Sequence, residues 1–377
     1  MQSRRKLMKS GLAAAALATT NVGVHATEER MSHSGTSGEL PRQLTALAIR
    51  REDGRETLVV KTEAGVLDVA AASKLLGYSP PLSLEELLTK GGNAELKALV
   101  EAALKSPAAK STFVDESKIR FGRLFKNPGK IICVGLNYRE HAEEAGAKPP
   151  AQPILFNKYN NALAPHRATI QLPPRDICHK FDYETELVVV IGRRASNVSV
   201  DEALSYVAGY AVGHDFTSRD LQLETGGQWM VGKTLDGFAP IGPYFVSADQ
   251  VDPNNLNLET RVNGEVRQSV NTTKFIFNPQ KLIAYTSRLF ALEPGDIIFT
   301  GTPSGVIVGY PKEKQVWLKA GDKVESTIQG LGTLSFDLAW SETAAGTRSR
   351  PTEFARHTSD PLLTTQERAT EGFICFA

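Results

Sequence analysis

The stretch DYETELVVVIG at residues 182–192 restricts the fold most tightly. Strand side chains alternate between faces, so Glu184, Glu186, Val188 and Val190 share one face while Leu187, Val189 and Ile191 share the other. A strand that is apolar on both faces except at its start belongs inside a sheet covered on both sides. Its two acids then leave the core on one face, about 7 Å apart, and like charges so placed call for a counter-charge.

Downstream, GYAVGHDFTSRD has the same form, an apolar strand arriving at Asp215. If the two strands are neighbours, three carboxylates converge, and either one of them holds a proton or a cation enters. An all-oxygen set without converging Cys or His suits a hard divalent ion: Mg²⁺ with waters completing its shell, or Mn²⁺, with Ca²⁺ as a further candidate. The plain alternative is that Glu184 and Glu186 are solvated strand-start residues and Asp215 caps a turn.

Around these strands lie KIICVGLN, GPYFVSA, LNLETRVNG, DIIFTGTP, DKVESTIQG and GTLSFDLAW, short apolar runs broken by Gly and Pro. They predict a mainly β domain with α insertions (α+β), sandwich- or barrel-like, over 128–340. A small β-rich domain is expected over 43–125. Asp53-Gly54 and Ala64-Gly65 mark hairpins there, Ser83-Leu84-Glu85-Glu86 fits a capping box, and Leu96, Leu99, Val100, Ala103 and Leu104 recur at helical spacing.

The ends differ in texture. Residues 1–26 carry Arg4-Arg5 and a mildly apolar run from Gly11 to Thr20, a leader similar to the twin-arginine export signal and too short to span a bilayer. It predicts a bacterial periplasmic protein, or a cytoplasmic one if the leader does not function. Residues 27–42 read as a linker and 341–377 as a disordered tail rich in Ser, Thr, Arg and Pro. With 43 Lys and Arg against 42 Asp and Glu, no net field favours nucleic acid or an anionic membrane, and no membrane anchor is expected once the leader is removed. Small molecules are the expected partners. Cys133, Cys178 and Cys375 imply no disulfide scaffold, and nothing near Cys178-His179 completes a zinc spacing.

Other candidates are read from their neighbours. His141 and Glu144 share a face if REHAEEAG is helical, a pairing suited to proton transfer near neutrality; simple exposure is the alternative. Thr300-Gly301-Thr302-Pro303-Ser304-Gly305 lacks the ending of a phosphate loop, and a turn with free N–H groups and hydroxyls could hold a carboxylate, Thr302 first. Lys233 in GKTLDGFAP is a cation in a Gly-containing segment, and Arg219, Gln222 and Lys158 are weaker candidates for substrate contacts.

KIICVGLNYREHAEEAG, DYETELVVVIG, HDFTSRDLQ, GKTLDGFAPIGP, VNGEVRQ, LEPGDIIFTGTPSGVIVG and IQGLGTL together resemble the fumarylacetoacetate hydrolase family in order and approximate spacing, over roughly residues 128 to 340. The resemblance implies a mixed β-roll catalytic domain after a small β-rich one, usually in a homodimer, with a divalent metal on Glu184, Glu186 and Asp215. It also implies that Lys233 helps neutralise that site, and that His141, held by Glu144 on a mobile lid, takes a proton from water. The expected activity is metal-dependent hydrolysis of a carbon–carbon bond in an acylpyruvate-like or other 1,3-dicarbonyl acid, of the kind met in breakdown of aromatic compounds. A decarboxylase, isomerase, hydratase or lyase working through the same site is the alternative, and a non-catalytic periplasmic carboxylate binder is another. His214 stands where the family more often has Asn, and the leader and tail lie outside its pattern.

Overall fold

The strand Thr185–Ile191 is buried at every position and lies inside a 10-stranded sheet of a computed structural model that describes residues 39–341. The expected leader, residues 27–38 of the expected linker and all but Ser341 of the expected tail lie outside those residues. From one edge the sheet runs through Phe113–Val114, Gly65–Asp68, Glu56–Thr62 and Thr45–Arg50 to Phe245–Ser247, Val207–His214 and Thr185–Ile191. It ends with Ile297–Phe299, Ile131–Gly135 and the edge strand Ile154–Asn157. The N-terminal hairpins join it through Thr45↔Val246 and Ala46↔Phe245, so segment 43–125 extends the same sheet.

Alternation along the central strand sends its side chains into two cores. Val188 and Val190 pack with Phe299, Ile131 and the buried leucines of helices Leu84–Lys90 and Asn93–Lys105. Leu187, Val189 and Ile191 pack with Leu258, Ile328 and Leu334 of a 5-stranded sheet and with Leu282 and Ile283 of helix Pro279–Leu289. Each such side chain contributes about 1.5–3 kcal/mol on leaving water, which explains why so apolar a strand runs between two layers. The result is the mainly β arrangement with few helices, preceded by a β-rich region, that the sequence predicts.

The capping box forms with one change. Ser83 Oγ accepts the Glu86 amide at 3.1 Å, but Glu86 Oε2 reaches one residue further back, to the Leu82 amide at 3.2 Å.

Two pairings position the chemistry. Thr185 opposes His214, so the next residue, Asp215, donates its amide to Glu184 O at 2.8 Å. On the other side Val188 opposes Phe299, and the chain leaving that strand stays beside the central one. Thr300 donates its amide to Leu187 O at 3.1 Å, and Thr302 Oγ1 donates to Thr185 O at 3.0 Å.

Candidate active site

Glu184, Glu186 and Asp215 are all buried, and each offers a carboxylate oxygen within 4.8 Å of the others. Among the described residues this is the one such cluster of acids, histidines or cysteines. Cys178-His179 takes no part in it: His179 is exposed and its ring faces Asp220 at 3.2 Å.

Two cations hold part of the cluster. Lys233, at the end of the short helix Met230–Lys233, donates to Glu184 Oε2 and, at 2.8 Å, to Asp215 Oδ2. Arg219 donates through Nη2 to Glu184 Oε1 at 2.6 Å, through Nε to Asp182 Oδ2 at 2.8 Å and through Nη1 to Gln222 Oε1 at 2.8 Å. Burial opposes both charges, but Asp215 and Glu184 raise Lys233, while Glu184 and Asp182 raise Arg219, so both remain protonated. Burial would push Glu184 up; Lys233 and Arg219 overcome it and hold that carboxyl well below its ordinary range.

Glu186 is the exception. Its Oε2 accepts the Gly301 amide at 2.7 Å, while the bonded cations go to its neighbours. Burial, then Asp215, then Glu184 push its carboxyl well above the ordinary 4.5. Asp215 Oδ1 is also short of a proton donor. Lys158 lies 2.7 Å away, yet its ammonium donates to the carbonyls of Phe216 and Phe238 at 3.1 and 2.9 Å and to that of Lys233. An ammonium has three protons, so Lys158 contributes charge to Oδ1 without a hydrogen bond. A buried carboxylate without a bonded cation beside an acceptor with a free lone pair is what a hard dication fits, and these three carboxylates are a divalent-metal site.

The amide that holds Glu186 depends on a glycine. Gly301 has φ +96°, and a Cβ there would stand 2.7 Å from Asn137 Cβ, so a side chain would be strained by both backbone and contact. Asn137 in turn donates to Thr300 O at 2.6 Å and to Phe277 O at 2.9 Å, bracing the loop from behind.

Across the pocket, His141 and Glu144 lie on the helix Arg139–Glu144 as their spacing predicts. His141 Nδ1 is 2.8 Å from Glu144 Oε1, and the carboxylate also accepts the Gly305 amide at 3.0 Å. With Nδ1–H donated to Glu144, the other ring nitrogen carries the lone pair, which is the tautomer a base needs. The pocket between this pair and the carboxylates has a volume of about 140 Å³, below the ~300 Å³ at which pockets begin to hold drug-sized ligands.

Of the remaining candidates, Arg219, Gln222, Lys233 and Thr302 line that pocket and Lys158 does not. Lys158 is buried, with its ammonium 2.7 Å from Asp215 Oδ1. The Thr302 hydroxyl donates to Thr185 O and accepts from Gln268 Nε2 at 2.9 Å, so it braces the loop. His214 is buried and, through that burial, drops to about 3, so it is neutral; its Nε2 accepts the Glu184 amide at 2.9 Å. Sequence reasoning missed Asp182, although it precedes Glu184 by two and shares its face. Its carboxylate takes Arg219 and also the amides of Ile307 and Val308, at 2.8 and 3.1 Å. It missed Trp229 and Phe156 as well, both in the pocket wall.

Two outcomes follow here. Arg219→Ala leaves buried Asp182 without its cation and Glu184 without its orientation, so it lowers metal affinity about 10- to 100-fold and costs about 3–5 kcal/mol of stability; metal-binding calorimetry and urea unfolding read the two effects. The second concerns pH. Because folding raises the Glu186 pKa, the metal-free fold binds a proton more tightly than the unfolded chain, and its stability falls as pH rises above 4.5 through the raised value. Glu184, lowered by folding, is ionised throughout that window and adds no slope. Metal binding therefore releases a proton and removes the decline. Melting temperatures with EDTA and with Mg²⁺, from about pH 5 to pH 8, should diverge as pH rises; parallel curves would contradict it.

The chain matches the family described as fumarylacetoacetate (FAA) hydrolase C-terminal over residues 130–339. It is 38% identical over 271 residues to a mitochondrial oxaloacetate tautomerase of Rattus norvegicus, covering 72% of this chain and 82% of that one. Among solved structures it is similar to a fumarylacetoacetate hydrolase from the psychrophile Exiguobacterium antarcticum, with a TM-score of 0.64 and 30% identity over 79% of this chain and 100% of that one. It is also similar to a fumarylpyruvate hydrolase from Pseudomonas aeruginosa in complex with Mn²⁺ and pyruvate, with a TM-score of 0.51 and 37% identity over 56% of this chain and 90% of that one.

Proposed function

The chain belongs to the fumarylacetoacetate hydrolase family, and on that premise we propose that it is a divalent-metal-dependent tautomerase of a short 2-oxo dicarboxylic acid, oxaloacetate being the simplest. The observation that carries the reading is the His141–Glu144 pair, 2.8 Å apart, facing three convergent carboxylates across a pocket of about 140 Å³. Such a site has one base, one place for charge and room for a small acid. The likeness to the rat oxaloacetate tautomerase supports the same reading, since it extends over 271 residues, beyond the region matched to the family.

Mg²⁺ or Mn²⁺ on Glu184, Glu186 and Asp215 would supply Lewis-acid polarisation of the 2-oxo group and positive charge for the enolate. The rest is done by the chain. Glu144 orients His141, whose free ring nitrogen takes a proton from C3 of the acid. The C–H electron pair becomes the C2–C3 double bond, and the carbonyl pair moves onto the C2 oxygen. His141 then returns its proton to that oxygen, giving the enol, and the reverse path gives the ketone. Lys233, protonated and bonded to Glu184 and Asp215, keeps positive charge beside the developing oxyanion. Val134 and Phe156 in the wall exclude water from the carbanion.

A second reading uses the same pair on water. His141 takes a proton from water as its oxygen adds to the distal carbonyl of an acylpyruvate. The carbon–carbon bond then breaks, and its electron pair becomes the enolate of the departing 2-oxo acid. The likeness to the Pseudomonas aeruginosa fumarylpyruvate hydrolase favours it.

Stopped-flow measurement of oxaloacetate keto–enol equilibration, beside product analysis on a set of acylpyruvates, separates the two. The proposal expects Mg²⁺- or Mn²⁺-dependent acceleration of equilibration that EDTA abolishes, with slow or no acylpyruvate cleavage. Fast cleavage without accelerated equilibration would establish the hydrolase instead, and neither activity would leave a carboxylate-binding protein.

A further inference from the structure

The apolar end of the pocket is built from parts that fit one another closely. Trp229 directly precedes the helix Met230–Lys233 with helical backbone angles, φ −55° and ψ −37°. It therefore stands four residues before Lys233 on the same face, about 6 Å away along the axis. Phe156, on the edge strand, lies between the two: its ring centroid is 5.7 Å from that of Trp229 and 5.3 Å from Lys233 Nζ. The indole also rests on Gly135, on the strand next to that of Phe156. A Cβ at that position would stand 2.3 Å from Trp229 Cζ3 and 3.0 Å from Cη2, so the six-membered ring occupies space that only a glycine leaves free. Trp229 and Gly135 both line the pocket, and Trp229 is only half-buried.

We propose that Trp229 sets the chain length of the 2-oxo acid by closing the apolar end of the pocket against Gly135 and Phe156. The inference rests on the enolisation reading above for its substrate class. An acid whose oxo group lies near Lys233 runs over Phe156 and meets the indole after a few carbons. The indole is a rigid wall, held in an edge-on contact by Phe156 and seated in the notch at Gly135. The groups that bind and move the proton are on other residues, so shortening this side chain lengthens the pocket and leaves the reacting end in place.

The test uses the Mg²⁺-loaded full chain with Trp229→Phe, Trp229→Leu and Trp229→Ala, a graded series in which the phenyl variant keeps an aromatic contact with Phe156. Deuterium exchange at C3 is followed by NMR for oxaloacetate, 2-oxoglutarate and 2-oxoadipate, and for unbranched 2-oxo monocarboxylic acids of increasing length. Dissociation constants for the same acids are measured by calorimetry. The expected result is a ratio of long-acid to short-acid kcat/KM that rises through the series, by about 10-fold or more in the Ala variant, the size of effect that one or two methylenes have in an apolar pocket. The binding ratio should move in the same direction. A loss shared equally by all acids would mark Trp229 as a structural residue and overturn the proposal, as would unchanged ratios in every variant. Wild-type protein that binds the acids but exchanges none of them would contradict the enolisation reading, and the binding ratios alone would then decide the role of Trp229.

Discussion

Replacing His141 by alanine lowers turnover by about 10²- to 10⁴-fold, the usual contribution of a positioned general base, and leaves the divalent metal bound. The separation follows from placement. His141 sits on the helix Arg139–Glu144, while the three carboxylates come from the strand Thr185–Ile191, the residue before it and the residue just after the neighbouring strand Val207–His214. Removing the imidazole thus empties one wall of the pocket and touches no metal ligand. Glu144→Gln has a smaller effect: its carbonyl oxygen can still accept either the His141 proton or the Gly305 amide, where the carboxylate serves both. Turnover assays beside metal calorimetry check the pair. An alanine variant at position 141 with full turnover would remove the base from the mechanism.

Glu186→Gln has effects of opposite sign on stability and on activity. In the metal-free protein Glu186 is a buried acid pressed by Asp215 and Glu184, with the Gly301 amide as its hydrogen bond. A glutamine keeps an oxygen for that amide and removes the like-charge repulsion, so the metal-free variant melts at the same temperature as the wild type or higher. The metal loses one of its three protein carboxylates, and the stabilisation that binding confers, about 4 kcal/mol at a thousand times Kd, largely disappears. Turnover disappears with it. Thermal melts of both proteins with EDTA and with saturating Mg²⁺ give all three comparisons; an unchanged Mg²⁺-induced shift in the variant would show that Glu186 is not a ligand.

How far the site could be read from the sequence depends on the range of each interaction. Period-two alternation in DYETELVVVIG is local, and it placed Glu184 and Glu186 at the exit of a strand covered on both faces. The spacing of His141 and Glu144 is local too, and helix geometry brings them within hydrogen-bond distance. The partners of Lys158, namely Asp215 and the carbonyls of Phe216, Lys233 and Phe238, come from segments far along the chain, so its burial beside the carboxylates has no local signal. The notch at Gly135 that seats Trp229 is equally non-local. So is the pairing of Thr45 with Val246, which carries the small N-terminal segment into the catalytic sheet, since it joins residues far apart in the chain. Asp182 is the avoidable omission. It continues the alternation of Glu184 and Glu186 by one step, a local signal of the same kind.

Crystals grown with Mn²⁺ and measured near the manganese absorption edge test the central claim most directly. The account predicts a single strong anomalous peak among Glu184, Glu186 and Asp215, about 2.0–2.6 Å from an oxygen of each, the range spanned by hard divalent ions. Anomalous maps with no peak there, and Lys233 still bridging Glu184 and Asp215 at saturating Mn²⁺, would contradict it.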